Sequence, residues 1–170
     1  MIEDTAAVSV FLEVPEAAWV AANELAFAFR DRYPVSPGHT LVVTRRVVPD
    51  WFAATGEEQA AIMRLVDEVK RQLDEELQPH GYNVGWNAGT AAGQTVMHLH
   101  VHVIPRFRGD MDDPRGGVRH VIPSKGNYLR QSPPRIGARS SHRRRSRTGA
   151  SCGPSGRRRG LAGSWGPRAG

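Results

Sequence analysis

Residues 93–106, GQTVMHLHVHVIPR, constrain this chain more than any other stretch. His98, His100 and His102 alternate there with Leu99, Val101 and Val103, and strict alternation of polar and apolar residues is the pattern of a half-buried strand. Residues two apart on a strand share a face and lie about 6.6 Å from one another. The three imidazoles are therefore expected on one side of the strand, with Leu99, Val101 and Val103 facing a core on the other. Folding alone gives no reason for such a wall, because each partly buried ring loses hydration and needs hydrogen-bond partners. Imidazole can ligate a metal, move protons or attack as a nucleophile. A straight row of rings does not converge easily on one ion, and a third ligand usually arrives from another element. The row suits a nucleophile flanked by neighbours that orient it and handle protons, while the plain alternative is a strand with solvent-facing histidines.

The order His-apolar-His-apolar-His followed by Val103 and Ile104, with AGQTV before it, resembles the histidine triad family. The continuation IPRFRGD (residues 104–110) is similar to the fragile-histidine-triad and diadenosine-polyphosphate-hydrolase branch, more than to the nucleoside phosphoramidases. The resemblance runs over residues 19–128. It implies an α+β fold with an antiparallel sheet and one main helix, in a homodimer whose sheet continues across the interface. It also implies attack on the α-phosphate of a nucleotide, dinucleoside polyphosphates foremost, through a covalent nucleotidyl-histidine. The other readings are P–N cleavage by a nucleoside phosphoramidase, a nucleotide-binding regulator with incidental turnover, and a metal-dependent hydrolase that would fail in chelator. The covalent route requires no cofactor, although Mg²⁺ can accompany a polyphosphate substrate.

By the same resemblance, His100 matches the nucleophile, His98 the histidine that shapes the centre, and His102 the one beside the leaving group. Gln94 and Thr95 match a pair placed near the phosphate. Asn87 stands where one branch has glutamine and the other asparagine. Asp31 matches an acid that accepts ribose hydroxyls, Phe27 and Phe29 lie near the nucleobase pocket, and His39 matches a further histidine in a structural, hydrogen-bonded role. Two positions depart from the family pattern: Thr44 replaces a usual proline, and Val47 stands about where a histidine is usual. The N-terminal cysteines of zinc-carrying members are missing, so no metal site is expected.

Charge divides the chain. It has 23 basic and 17 acidic residues, which taken whole would point to a nucleic-acid binder. Residues 130–170, however, contain 11 Arg and no Lys, Asp or Glu, leaving 12 basic against 17 acidic residues in 1–129. The expected organisation is a mildly acidic catalytic domain over 1–129, long enough for one core, and a disordered Arg/Gly/Ser/Pro-rich tail over 130–170. Nucleic acid is an expected partner only through that tail. Cys152, the one cysteine, precludes a disulfide within the chain. The opening MIEDTAAVSVFLEVPE has no basic n-region, and no apolar run is long enough to span a membrane; a cytoplasmic protein is expected.

Local signals fill in the elements. Apolar runs at 19–22 and 25–29 around Asn23-Glu24 predict a hairpin, although that link lacks the usual glycine. Residues 30–40 read as a loop and Leu41 opens another strand. Thr55 and Glu58 form a capping-box signature ahead of a helix over 57–78. Its stripe is Ile62, Leu65, Val66, Val69, Leu73 and Leu77, and Pro79 and Gly81 stop it. Residues 82–87 predict a strand leading into a loop punctuated by Gly85, Gly89 and Gly93, whose backbone can approach phosphate closely.

Overall fold

The computed structural model describes residues 9–127 and residue 129; the expected tail over 130–170 lies outside the described residues. Five strands form one antiparallel sheet: β1 (Trp19–Ala22), β2 (Ala26–Arg30), β3 (Thr40–Thr44), β4 (Gly81–Gly85) and β5 (His100–Arg106), in the order β1-β2-β3-β5-β4. One long helix, α1 (Gly56–Leu77), connects β3 to β4. The expected α+β architecture is the one observed.

The β1–β2 hairpin turns without glycine because Asn23 supplies the missing hydrogen bonds. Its Oδ1 accepts from Leu25 N (3.0 Å) and Ala26 N (2.9 Å), which draws Leu25 into the turn rather than the strand. Its Nδ2 donates to Ala61 O of α1 at 2.9 Å, so the same residue ties the turn to the helix. The helix begins as expected: Glu58 N donates to Thr55 Oγ1 (3.2 Å) and Thr55 N to Glu58 Oε2 (2.8 Å). Glu58 also takes a two-pronged contact from Arg46, both bonds at 2.8 Å, clamping the preceding connection to the helix start. At the other end Gln78 caps the helix in the left-handed conformation, φ 49°, the only described residue other than glycine with positive φ. A side chain there crowds its own carbonyl, and glycine is the usual solution. Gln78→Gly is therefore expected to raise stability by about 0.5–1 kcal/mol, read as a Tm a few degrees higher in thermal unfolding.

Alternation along the strands separates two faces. Ala26, Ala28, Val42, Val101 and Val103 lie under α1, packed with Ile62, Leu65, Val66, Val69 and Leu73. The two alanines let the helix approach closely, and each buried aliphatic side chain contributes roughly 1.5–3 kcal/mol. Leu77, the last of the expected stripe, is instead 37% exposed. The opposite face carries Phe27, Phe29, Leu41 and Val43 together with His100 and His102, which pair with Val43 and Leu41 across β3–β5. It is covered by the segment before β1, where a 3-10 turn, Val10–Glu13, lays Phe11 against the sheet. Among the described residues no helix is long and apolar enough to cross a membrane.

Candidate active site

β5 begins at His100, so His98 precedes the strand rather than lying within it. Leu99 N donates to Val48 O at 2.7 Å, a single bond that holds this lead-in segment against the 45–55 connection. The expected sidedness holds nonetheless: Leu99, Val101 and Val103 are in the helix-side core, and His98 and His100 meet Phe11 on the other face, at ring-centroid distances of 5.8 and 5.0 Å.

The three rings have different surroundings. His98 is fully buried, with Nδ1 2.7 Å from Ser9 Oγ and Nε2 2.7 Å from Thr44 O. Burial holds its pKa below the ordinary value, against the opposing effect of the Thr44 carbonyl. A carbonyl only accepts, so Nε2 carries the hydrogen and Nδ1 accepts from the serine hydroxyl. Both nitrogens are engaged by protein, and His98 acts on the site through its backbone. Its carbonyl lies 2.7 Å from His100 Nδ1. By the same reasoning Nδ1–H of His100 is the donor, and a neutral His100 has its lone pair on Nε2.

His102 makes a chain with two further residues. Its Nδ1 is 3.0 Å from His39 Nε2, the two rings are stacked with centroids 5.2 Å apart, and His39 Nδ1 is 3.2 Å from Asp31 Oδ2. Burial lowers the His102 pKa to about 4, helped by neighbouring His100 and His39 and opposed by Asp31. His39 is lowered by burial and partly restored by Asp31. His39 is engaged at both ring nitrogens, with Val35 N also 3.4 Å from its Nδ1. Asp31, the expected ribose acceptor, touches His39 and also accepts from Tyr33 N at 3.0 Å; it is half-buried, and its oxygens retain lone pairs for further donors.

Gly38 places His39. Its φ is +81°, and a Cβ there would stand 2.6 Å from Leu73 and Leu77 side-chain carbons, so only glycine lets the 30–40 loop settle on the end of α1 and enter β3 at this register. Arg30 reinforces the same corner by pairing with Glu76 at 2.6 Å and donating to Thr40 Oγ1 at 2.7 Å.

Several expected substrate contacts are differently placed. Gln94 is buried, and its amide nitrogen donates to the carbonyls of Pro49 and Val96, while its Oε1 accepts from Gly89 N at 2.7 Å. Gln94 thus braces the glycine loop, in which Gly93 takes φ +87°, and its donors do not face a phosphate. Phe27 and Phe29 are 1% and 7% exposed, with Phe27 stacked on Trp19 at 4.5 Å and Phe29 tilted against Phe11 at 6.0 Å. They are core residues beneath the site, and a base could reach them only by displacing these rings. Thr95 is exposed and Asn87 half-buried; Asn87 follows Gly85, the partner of His102 across β4–β5, by two residues.

Asp31, His39 and His102 could also gather an ion, since one ligand atom from each lies within 4.8 Å of the others. The His39–His102 hydrogen bond already joins two of those atoms, so an ion would have to break it. Ser9, Phe11 and the carbonyls of Thr44 and Pro49 complete the site without any sequence signal to announce them. They are held by contacts over long sequence separations, 89 residues in the case of Ser9 and His98.

The five-stranded antiparallel sheet carries its one main helix on one face and the imidazole row on the other. The HIT domain model matches residues 13–109, more than half of the sequence, and this chain belongs to the HIT family. It is 41% identical over 106 residues to AP-4-A phosphorylase of Mycobacterium tuberculosis, covering 59% of this chain and 54% of that protein. It is 36% identical over 91 residues to the asymmetrical bis(5'-nucleosyl)-tetraphosphatase of Schizosaccharomyces pombe, covering 54% of this chain and 50% of that one. The chain thus spans about half the length of these curated relatives. A solved HIT family protein from Bacillus anthracis superposes with a TM-score of 0.58 at 34% identity, over 62% of this chain and 78% of that one.

Proposed function

We propose that this protein cleaves dinucleoside polyphosphates at the α-phosphate through a covalent nucleotidyl intermediate on His100. The observation that carries the reading is the 2.7 Å contact of His100 Nδ1 with the His98 carbonyl, which leaves Nε2 as the nucleophilic nitrogen. In the first step Nε2 bonds to the α-phosphorus and the bond to the bridging oxygen breaks, that oxygen leaving with its electron pair on a nucleoside polyphosphate. In the second step water attacks the same phosphorus, the P–N bond breaks, and nucleoside monophosphate departs as His100 recovers its lone pair. Dividing one displacement in two is the gain of covalent catalysis. Thr95 and Asn87 contribute donors to the phosphate oxygens, and Asp31 retains the capacity to accept a ribose hydroxyl.

His102 handles the protons. His39 Nδ1 faces Asp31 Oδ2 at 3.2 Å and Val35 N at 3.4 Å; the nearer, charged carboxylate favours a hydrogen on Nδ1, so His39 Nε2 accepts from His102 Nδ1, and His102 Nε2 holds a lone pair while the chain is neutral. With a His102 pKa of about 4, the ring is unprotonated in the free protein at neutral pH and has no proton to give a leaving group. A polyphosphate leaves as a stable anion and needs no proton, whereas an amine leaving group does. This favours P–O over P–N cleavage.

The names of the two relatives, a phosphorylase and a tetraphosphatase, support the substrate class and differ in whether phosphate or water takes the nucleotidyl group. The test is to incubate the protein with diadenosine tetraphosphate, and separately with adenosine 5'-phosphoramidate, and to separate the products by anion exchange. AMP with ATP from the first, at a rate at least about 10-fold above the second, is expected. Two ADP, or faster turnover of the phosphoramidate, would contradict the reading. Adding inorganic phosphate distinguishes the acceptors, because ADP then replaces AMP if phosphate competes with water. Mg²⁺ is proposed only as a companion of the polyphosphate. We also propose a homodimer joined through β4, an edge strand with Val84 39% exposed and unpaired backbone groups available to a second sheet.

A further inference from the structure

We propose that Ser9 is a positioning residue for the nucleophile, holding His98 in the one tautomer that keeps its backbone carbonyl against His100. The inference rests on the assignment of His100 above. Ser9 is 7% exposed and stands in the segment before β1, outside every strand of the sheet. Its Oγ accepts from Phe11 N at 3.4 Å, capping the Val10–Glu13 turn. A hydroxyl has one hydrogen and two lone pairs, and with one lone pair facing Phe11 N its hydrogen is free for His98 Nδ1 at 2.7 Å. The Thr44 carbonyl fixes the other end of the ring at 2.7 Å. His98 is thereby gripped at both nitrogens, one accepting and one donating, in a position fully closed to water.

The consequence passes through one peptide unit. His98 O receives His100 Nδ1–H, so any shift of His98 changes the bond that decides which nitrogen of His100 carries the lone pair. Without the serine hydroxyl, Nδ1 of His98 is a buried acceptor with no donor, an uncompensated loss of hydration in the state that needs it. Rotation of the ring or transfer of its hydrogen to Nδ1 relieves that cost and breaks the bond to Thr44. The same substitution removes the cap of the turn that places Phe11 beside His100. Ser9 touches neither substrate nor reacting atom.

The experiment compares Ser9→Ala and Ser9→Thr with the wild type in three measurements. These are kcat and KM on diadenosine tetraphosphate, the thermal midpoint, and the long-range ¹H–¹⁵N correlations that report imidazole tautomers. In Ser9→Ala, kcat is expected to fall about 10- to 100-fold, the range for loss of a partner that orients an active ligand, with KM changed little. The His98 and His100 ring nitrogens should move to mixed tautomers, and Ser9→Thr, which keeps the hydroxyl, should restore both readouts. Wild-type kcat and unchanged tautomers in Ser9→Ala would overturn the proposal. So would a loss of kcat that threonine fails to restore while the tautomers stay fixed, because that is the behaviour of a purely structural residue. Should the wild type turn over none of the nucleotides, the assignment of function fails. The ring-nitrogen pattern of the two variants still decides whether Ser9 sets the tautomers.

Discussion

His100→Ala is expected to lower kcat on a dinucleoside polyphosphate by at least about 10⁴-fold, with KM altered by less than about 3-fold. The size of the effect follows from the absence of a substitute. His98 has Nδ1 and Nε2 held by Ser9 and Thr44. His102 has Nδ1 held by His39, and its low pKa makes its remaining nitrogen a weak nucleophile. That leaves Nε2 of His100, whose Nδ1 is tied to the His98 carbonyl. In the proposed mechanism its bond to phosphorus exists in the transition state and the intermediate but not in the ground-state complex, so the loss falls on kcat. Steady-state kinetics of the two proteins would check this. His100→Gln, which keeps more of the bulk against Phe11, should be as inactive as alanine and closer to the wild type in thermal midpoint. A variant retaining a tenth of wild-type kcat would place the nucleophile elsewhere.

The second large effect is on stability. Lowering the pH from 7 to 5 is expected to destabilise the fold by about 2 kcal/mol or somewhat more, and the buried histidines are the cause. The His102 pKa is about 4 in the folded chain against an ordinary 6.5. Between those values the unfolded chain binds a proton that the folded chain refuses. Stability therefore rises with pH across that window and falls as pH drops through it. A shift of this size corresponds to roughly 3 kcal/mol over the whole window for His102, about 2 of it above pH 5, less the screening that solvent provides to a ring that is only partly covered. His98 and His39 are displaced in the same direction by burial and add to it. The lowered carboxylates, among them Asp110 at about 2 through its Arg106 pair, lose their contribution only at lower pH, so the range from 7 to 5 isolates the histidines. Urea unfolding at pH 7, 6 and 5 measures the slope, and His102→Asn should flatten it by removing one proton-binding site from the unfolded state. Equal stability at pH 7 and 5, or an unchanged slope in the variant, would show that these rings are not held neutral by the fold.

The parts of this structure that local chemistry decides were legible in the residues. Alternation in 98–103 fixed which side of the sheet bears imidazole, because a strand offers only two faces. Thr55 and Glu58 announced the helix start, since a capping box is made within four residues. The turn at Asn23 and the left-handed Gln78 were less legible: in both, a side chain or backbone strain does the work usually left to glycine. Least legible was everything made across the sheet. Phe27 and Phe29 read equally well as pocket or core, and only the arrival of Phe11 and Trp19 on the same face makes them core. Gln94 could direct its amide to a ligand or to the backbone, and the carbonyl of Pro49, 45 residues earlier, takes it inward. Ser9 has no pattern around it, and its partner is in another part of the chain. Asp31 and His39 belong to one proton chain with His102 for the same reason: the β2–β3 loop, settled on α1 through Gly38, returns them to the strand that bears the triad.

The proposed mechanism requires a bond between His100 and a nucleotide, and the most direct measurement is intact-protein mass after brief mixing with diadenosine tetraphosphate and acid-free quenching, for wild type and His100→Ala. The expected result is a gain of one AMP moiety on the wild type alone, with nucleotide products in solution. Equal adduct or equal turnover in both proteins would contradict it, and so would wild-type turnover that never passes through a protein-bound nucleotide.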